Sequence, residues 1–253
     1  MKILVCLKAV PTTSQVEVDG QFRLQRSGAA LQWNIADEAA LELALRLKGN
    51  GTVTVLTMGP GKLEEDLISL MARGADRAVL LTDPKMAGAD TVATARALAA
   101  AAEKLGGFDL ILCGRRAIDG ETGQVPGMLA AALGLPFVTN ADTVEEGLLV
   151  TRRLETAVQK LEVTLPAVVS VCEYTYPLRL AGIMGMRRAR QKQVEKLTAA
   201  DLGLGAAQCG LKGSLTKVTA MSAKFPGLRK GPKETDLTVA VKEISGICGE
   251  VGK

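Results

Sequence analysis

Histidine is absent from the 253 residues. That removes His-based catalytic triads and most zinc and haem ligation patterns. General acid–base chemistry would fall to Asp, Glu, Lys or Cys, and no spacing in the chain pairs these convincingly, so no catalytic residue is assigned. The absence favours a binder or an electron carrier over a hydrolase. Aromatic residues make up 3% of the chain, too few to stack a single-stranded nucleic acid. A net charge of +4 is mild, and nucleic acid is not its natural explanation. No apolar run is long enough to span a bilayer. The short apolar stretch within Met1–Lys8 begins a strand rather than a signal peptide, so the expectation is a cytoplasmic protein with no membrane span. The five cysteines (Cys6, Cys113, Cys172, Cys209, Cys248) lack CxxC spacing, which indicates neither a zinc site nor a disulfide framework. No Walker Gly-Lys-Ser/Thr loop occurs, which argues against a nucleotide-dependent ligase or hydrolase.

What the chain does have is 47% hydrophobic content, a mean hydropathy of +0.19 and one stretch around which the rest is organised. The apolar run Phe108–Leu112 predicts a buried strand. A loop rich in Gly and small polar residues follows, then a helix from about Gln124 to Leu133 that stops at Gly134. Free amides in such a loop and at the helix start suit a phosphate or pyrophosphate. Asp119, Glu121, Thr122 and Gln124 add groups for a ribose, an adenine edge or a flavin ring. The alternative is a plain βα turn that uses Gly for geometry and Asp or Thr for capping.

Read in order, Lys2–Leu7 predicts a buried parallel strand that ends at Lys8–Pro11. Thr12–Arg26 alternates around Asp19-Gly20, a hairpin signature. Asn34, with Asp37 three residues on, predicts a capped helix running to Gly49. Strands follow at Thr52–Thr57 and Ala78–Leu81, with helices at Leu63–Arg73 and from Asp90 through Leu105. This alternation predicts an α/β fold, a doubly wound and mainly parallel sheet with a hairpin insertion. In such sheets ligands sit at the carboxyl ends of strands, and the segments after Cys6, Met58 and Cys113 and the cap at Asn34 converge there. Further strands are expected at Phe137–Thr139, Leu148–Leu154, Ala157–Val163 and Ala167–Val171, the middle two as a charged edge hairpin. Beyond Cys172 the chain reads as extended, followed by a basic run. The expected division is a nucleotide-binding domain over residues 1–204 and an extended C-terminal arm over 205–253. The arm ends in a helix at Thr235–Ile247, capped by Thr235 or Asp236, and packs on another polypeptide.

Several ordered motifs resemble the beta subunit of the electron transfer flavoproteins: Asn34-Ile35-Ala36-Asp37, Met58-Gly59-Pro60, the Ala72–Arg77 run, Gly88–Thr94, Gly114–Val125, Gly182-Ile183-Met184 and Ala200–Gly203. The resemblance covers nearly the whole chain. It implies a Rossmann-like, adenine nucleotide alpha hydrolase-like fold and an obligate heterodimer. In that family the alpha subunit carries the redox-active FAD on a domain that swivels over the beta subunit. The beta subunit holds a second nucleotide, AMP in conventional members and FAD in electron-bifurcating ones. The positions implied for that nucleotide are Cys6, Asn34, Ile35, Ala36, Asp37, Met58, Asp90 and Thr91. To these the loop adds Gly114, Arg115, Arg116, Ala117, Ile118, Asp119, Gly120, Glu121, Thr122, Gly123, Gln124 and Val125. Gly88–Thr94 and Asp119–Val125 look more like the FAD-containing branch, so FAD is favoured and AMP is the alternative. One departure stands out: Thr122-Gly123-Gln124-Val125-Pro126 replaces the Thr-Ala-Gln-Val-Gly expected of that branch.

The resemblance also implies docking of a partner dehydrogenase through Leu180, just ahead of Ile183 and Met184. The alternative is a loop leucine that packs on its own subunit. Arg187, Arg188, Arg190 and Lys192 would steer an acidic partner, or form a solvated face. Electrons would pass from the docked dehydrogenase to the partner's FAD. A second FAD would accept a hydride from NADH and split the electrons. Arg115 and Arg116 are candidates for tuning charge near the ring, or for pairing with phosphates and acids. Cys6 and Cys113 read as small buried residues rather than redox thiols. A different class remains open, an adenine-nucleotide-binding regulatory or scaffold module without redox function.

Overall fold

The computed structural model describes residues 1–12, 30–219 and 236–251. Beyond Thr12, the hairpin expected from sequence lies outside the described residues. The chain divides into a unit spanning Met1–Thr219 and a second spanning Ala220–Lys253. The first contains β1 (Lys2–Cys6), β2 (Ala9–Pro11), β3 (Leu31–Trp33), α1 (Ile35–Leu47), β4 (Thr52–Met58), α2 (Glu64–Ala72), β5 (Arg77–Leu81) and α3 (Thr91–Lys104). It continues with β6 (Leu110–Gly114), α4 (Val125–Leu133), β7 (Phe137–Val144), β8 (Leu149–Arg153), β9 (Val158–Glu162), β10 (Ala167–Val171), α5 (Ile183–Ala189), β11 (Glu195–Leu197) and α6 (Gly210–Gly213).

Among the described residues, nine strands form one sheet in the order β11-β5-β4-β1-β6-β10-β7-β8-β9. It is parallel from β11 to β7 and antiparallel across β8 and β9. The doubly wound, mainly parallel sheet expected from sequence is therefore observed. From β1 the chain builds outward through β4 and β5 on one side and restarts with β6 on the other. The strand order thus reverses between β1 and β6, where crevices open in such folds.

Strand periodicity assigns the two cores. Ile3, Val5 and Leu7 point to one side, packed with Ala40, Leu43 and Ala44 of α1 and with Leu67 and Leu70 of α2. Leu4 and Cys6 point to the other, with Ala97 and Ala101 of α3 and Leu129 and Ala130 of α4. Each large side chain removed from water contributes roughly 1.5–3 kcal/mol before the entropy of ordering it. The alanine-rich face of α3 allows close approach to α4 and the sheet.

Four departures from the expected elements have local causes. The segment expected only to end the first strand continues as β2, which pairs with β3 and forms the base of the insertion. The basic run begins inside α5, because Met186 and Ala189 pack inward against the α1–α2 core. β11 extends the sheet beside β5, and its three residues carry no detectable period. Residues 205–216 fold back on the N-terminal end of α3, where Asp90 accepts from the amides of Leu215 (2.8 Å) and Thr216 (2.9 Å).

α5 lies close to α2 at Gly185, where an added Cβ would overlap the Ala72 carbonyl oxygen. Gly185→Ala is expected to cost about 1–3 kcal/mol, read as a lower denaturation midpoint at unchanged m.

The second unit contains α7 (Leu237–Val251), whose first turn is capped by Asp236 Oδ1, accepting from the amide of Thr238 at 2.8 Å. Leu237, Val239, Val241 and Ile244 of this helix are exposed. Among the described residues, no helix is long and apolar enough to cross a membrane.

Candidate functional site

Parallel register places the ends of β4, β1 and β6 side by side, with Cys6 opposite both Leu56 and Cys113. The segments that begin at Lys8, Gly59 and Arg115 therefore leave the same edge. The Asn34 amide donates to Lys8 O at 2.9 Å, which fixes the start of α1 to the end of β1.

Asn34 occupies the N-cap of α1 as expected, but its side chain makes no capping bond. Instead Nδ2 donates to Arg116 O (2.9 Å) and Oδ1 accepts from the Ile118 amide (3.1 Å). Asp37 does not complete a capping box either. Its two oxygens accept from the amides of Lys8 (2.8 Å) and Gly114 (2.8 Å). The backbone groups beneath the loop, buried at Gly114 and part-buried at Lys8, Arg116 and Ile118, claim both side chains. The first amides of α1 rely on backbone: Asp37 N and Glu38 N donate to Asn34 O. Burial pushes the Asp37 carboxyl from 3.8 up to about 7, against the lowering effect of the Lys8 and Gly114 amides and of Asn34.

Gly114 permits this approach. A Cβ there would fall on the Asp37 side chain, 2.7 Å from Asp37 N and 2.8 Å from Ala36 C. Further along, the loop turns through left-handed backbone at Glu121 (φ +52°) and Gly123 (φ +62°). A glutamate held there is strained, a feature concentrated at functional loops. The amides of Gly120, Thr122 and Gly123 have no hydrogen-bond partner among the described residues. These residues are exposed, and they lead directly into α4.

Two cross-links frame the loop. Lys8 Nζ pairs with Asp119 at 2.7 Å, and Thr91 Oγ1 donates to Gln124 Oε1 at 3.1 Å, tying the start of α3 to the start of α4. Arg115 forms a two-point pair with Glu173, whose carboxyl is held below the ordinary range chiefly by that hydrogen bond. Arg116 lies 3.6 Å from both Glu121 and Glu173 and is the freer of the two guanidinium groups. Lys8 and Glu173 were not singled out from sequence. Lys8 and Glu173 each stand two residues beyond the end of a strand, β1 and β10, and those places were the available signal.

The other expected positions divide clearly. Ala36 is buried and Ile35 half-buried at the start of α1, while Ala117 and Ile118 lie in the loop held by Asn34. Met58 is half-buried against the α3–α4 core. Val125 opens α4. Cys6 and Cys113 are buried free thiols, and the Cys113 thiol is pushed up by its hydrogen bond with Cys6 and by burial. Both Asp90 oxygens are engaged by the chain's own groups, one by Ala93 N and the other by Leu215 and Thr216. Among the described residues, no group of three or more His, Cys, Asp or Glu is arranged to hold a metal ion.

A second feature lies at the start of α5 and just ahead of it. Leu180 (89%), Ile183 (88%) and Met184 (61%) project into solvent. The segment that carries them is pinned beneath by Arg179, which makes a two-point pair with the buried Glu42 (2.9 Å to each oxygen), and by Tyr176, whose hydroxyl accepts from Val144 N.

A family model described as the electron transfer flavoprotein domain matches residues 21–202. The chain is 44% identical over 229 residues to the electron transfer flavoprotein subunit beta of Thermoanaerobacterium thermosaccharolyticum, covering 88% of each. It is 36% identical over 253 residues to the caffeyl-CoA reductase-Etf complex subunit CarD of Acetobacterium woodii, covering 97% of this chain and 95% of that one. Protein FixA of Azorhizobium caulinodans is 40% identical over 237 residues, covering 88% and 84%.

Proposed function

The chain belongs to the electron transfer flavoprotein family as a beta subunit, and from that premise we propose that it holds an adenosine-bearing nucleotide, FAD rather than AMP, over the edge formed by β1, β4 and β6. The observation that carries this reading is the loop from Gly114 to Gln124, shaped from below by buried side chains while its outer amides are left without partners. In this reading Gly120, Thr122, Gly123 and the first turn of α4 receive the phosphate groups. Asp119, Thr122 and Gln124 offer hydrogen bonds to ribose or base, and Lys8 and Arg116 balance charge. Arg115 is held by Glu173 and orients the loop rather than the guest. A bound FAD would supply a ring that takes a hydride from NADH and releases the electrons one at a time; the protein sets position and potential. The preference for FAD rests on the resemblance of Gly88–Thr94 and Asp119–Val125 to the bifurcating branch. A relative named as a subunit of a caffeyl-CoA reductase-Etf complex supports assembly with an oxidoreductase partner. The departure at residue 123 fits its backbone, since an alanine at φ +62° would be strained.

The same proposal includes a heterodimer with an alpha subunit, acting in the cytoplasm; of the arm expected over residues 205–253, residues 205–216 fold back on α3 of this chain, and the part beyond them packs on that subunit. A dehydrogenase would dock through Leu180, Ile183 and Met184, steered by the cations from Arg187 to Lys192.

Nucleotides released by denaturing the co-purified heterodimer test the first part. Two flavins per pair are expected; one flavin with one AMP would leave the site and change its guest, and one flavin alone would end the proposal. Leu180→Ala tests docking: KM for the partner dehydrogenase is expected to rise roughly tenfold or more, with kcat little changed.

A further inference from the structure

Asn34 and Asp37 stand at the expected nucleotide site, yet their side chains face the chain and not the crevice. Asn34 is fully buried, and its amide matches one carbonyl and one N–H two residues apart, Arg116 O and Ile118 N. Only a side chain with a donor and an acceptor on one carbon meets that pair. Asp37, 6% exposed, bridges the ends of β1 and β6 through the amides of Lys8 and Gly114. Together they engage three backbone groups of the Gly114–Ile118 segment, immediately before the left-handed turn at Glu121.

We infer that Asn34 and Asp37 are positioning residues, which set nucleotide affinity through the shape of the loop without touching the nucleotide. The inference rests on the nucleotide reading above and assigns these two residues a different role from the loop's outer groups. With the clamp in place, the amides of Gly120, Thr122 and Gly123 are presented before any guest arrives, so binding need not order them. Without it, the part-buried Arg116 O and Ile118 N lose their partners, and the loop must move to pair them elsewhere or with water. The effect acts before guest identity matters, so AMP and FAD should lose affinity alike.

The test uses the full heterodimer stripped of its beta-site nucleotide. It compares wild type with Asn34→Ala and with Asn34→Asp, which keeps the volume but replaces the donor with a second acceptor. Hydrogen exchange is read at the loop amides, and affinity is measured separately with AMP and with FAD. Both variants are expected to exchange faster at Ile118 and its neighbours before any nucleotide is added, and to bind both probes about tenfold or more weakly. Thr122→Ala, at an outer position, is expected to weaken binding with exchange in the stripped protein unchanged. Weaker binding by the Asn34 variants with unchanged exchange would mean that Asn34 contacts the guest directly, and would overturn the inference. Faster exchange with unchanged affinity would overturn it by separating loop shape from binding. A wild-type heterodimer that takes up neither AMP nor FAD would remove the underlying reading itself, an outcome visible before any variant is measured.

Discussion

Gly114→Ala is expected to abolish nucleotide binding and to destabilise the first unit by about 3–5 kcal/mol, the sum of an overpacked contact and two weakened hydrogen bonds to Asp37. The new methyl group would overlap the Asp37 carboxylate and lie 2.7 Å from Asp37 N. Relief requires movement of either α1 or the end of β6, and both are tied down. The start of α1 is fixed by Asn34 N to Lys8 O, and the chain after Gly114 by Arg115 N to Val171 O, both at 2.9 Å. The softest element is the Asp37 side chain itself, and its displacement takes the acceptor from the buried Gly114 amide and from the part-buried Lys8 amide. Gly123→Ala provides the contrast. Among the described residues its methyl would meet only Arg115 O, at 3.1 Å, and its cost comes from left-handed backbone, roughly 1–2 kcal/mol. Denaturant midpoints and nucleotide titration of both variants check the ordering. Wild-type affinity in Gly114→Ala would mean that the Asp37–Gly114 contact has no part in the site.

The parts of the fold that were legible in the sequence are those encoded locally. The alternation of Ile3, Leu4, Val5 and Cys6 gives a strand buried on both faces, and the spacing of Ala36, Ala39, Ala40 and Leu43 gives the inner face of α1. The βα order then determines the sheet, so the convergence of Cys6, Asn34, Met58 and Cys113 on one edge followed from topology. What stayed hidden depends on contacts distant in sequence. Asn34 reads as a cap because capping is its commonest local use. Its actual partners lie 82 and 84 residues away. Glu42 reads as an ordinary charged position of a helix, and nothing near it in sequence reveals that the chain returns 137 residues later with Arg179. Asp90 was readable as a cap through its bond to Ala93, but its other oxygen is claimed by Leu215 and Thr216. The candidate loop was thus found from its own glycines, while the side chains that give it shape required the structure.

Arg179→Ala carries the other large effect. Glu42 lies on α1 with its side chain 5% exposed, facing Arg179 at 2.9 Å and Arg46 at 3.0 Å. Burial alone would push its carboxyl up, but hydrogen bonds from the two arginines outweigh burial and bring it from the ordinary 4.5 down to about 2. Removing Arg179 leaves a buried carboxylate with one partner. Loss of one side of a buried pair costs about 3–5 kcal/mol; with Arg46 still present, about 2–3 kcal/mol is expected here. For a unit of this size that lowers Tm by roughly 5–10 °C. The pH dependence follows from the direction of the shift. A carboxyl depressed in the folded state stabilises the protein above its unfolded value near 4.5, and that contribution is lost as pH falls through about 2. In Arg179→Ala burial meets weaker opposition, so the folded value rises and acid unfolding begins at higher pH than in wild type. Arg179→Lys restores charge without the two-point geometry and is expected to fall between the two. Because Leu180 follows Arg179 directly, the same variant separates two roles of the pair. If the pair only stabilises α1, Tm falls and the KM for the dehydrogenase does not change. If it also holds the exposed apolar residues in place, KM rises at temperatures where the variant is fully folded, and Arg179→Lys recovers both quantities in part.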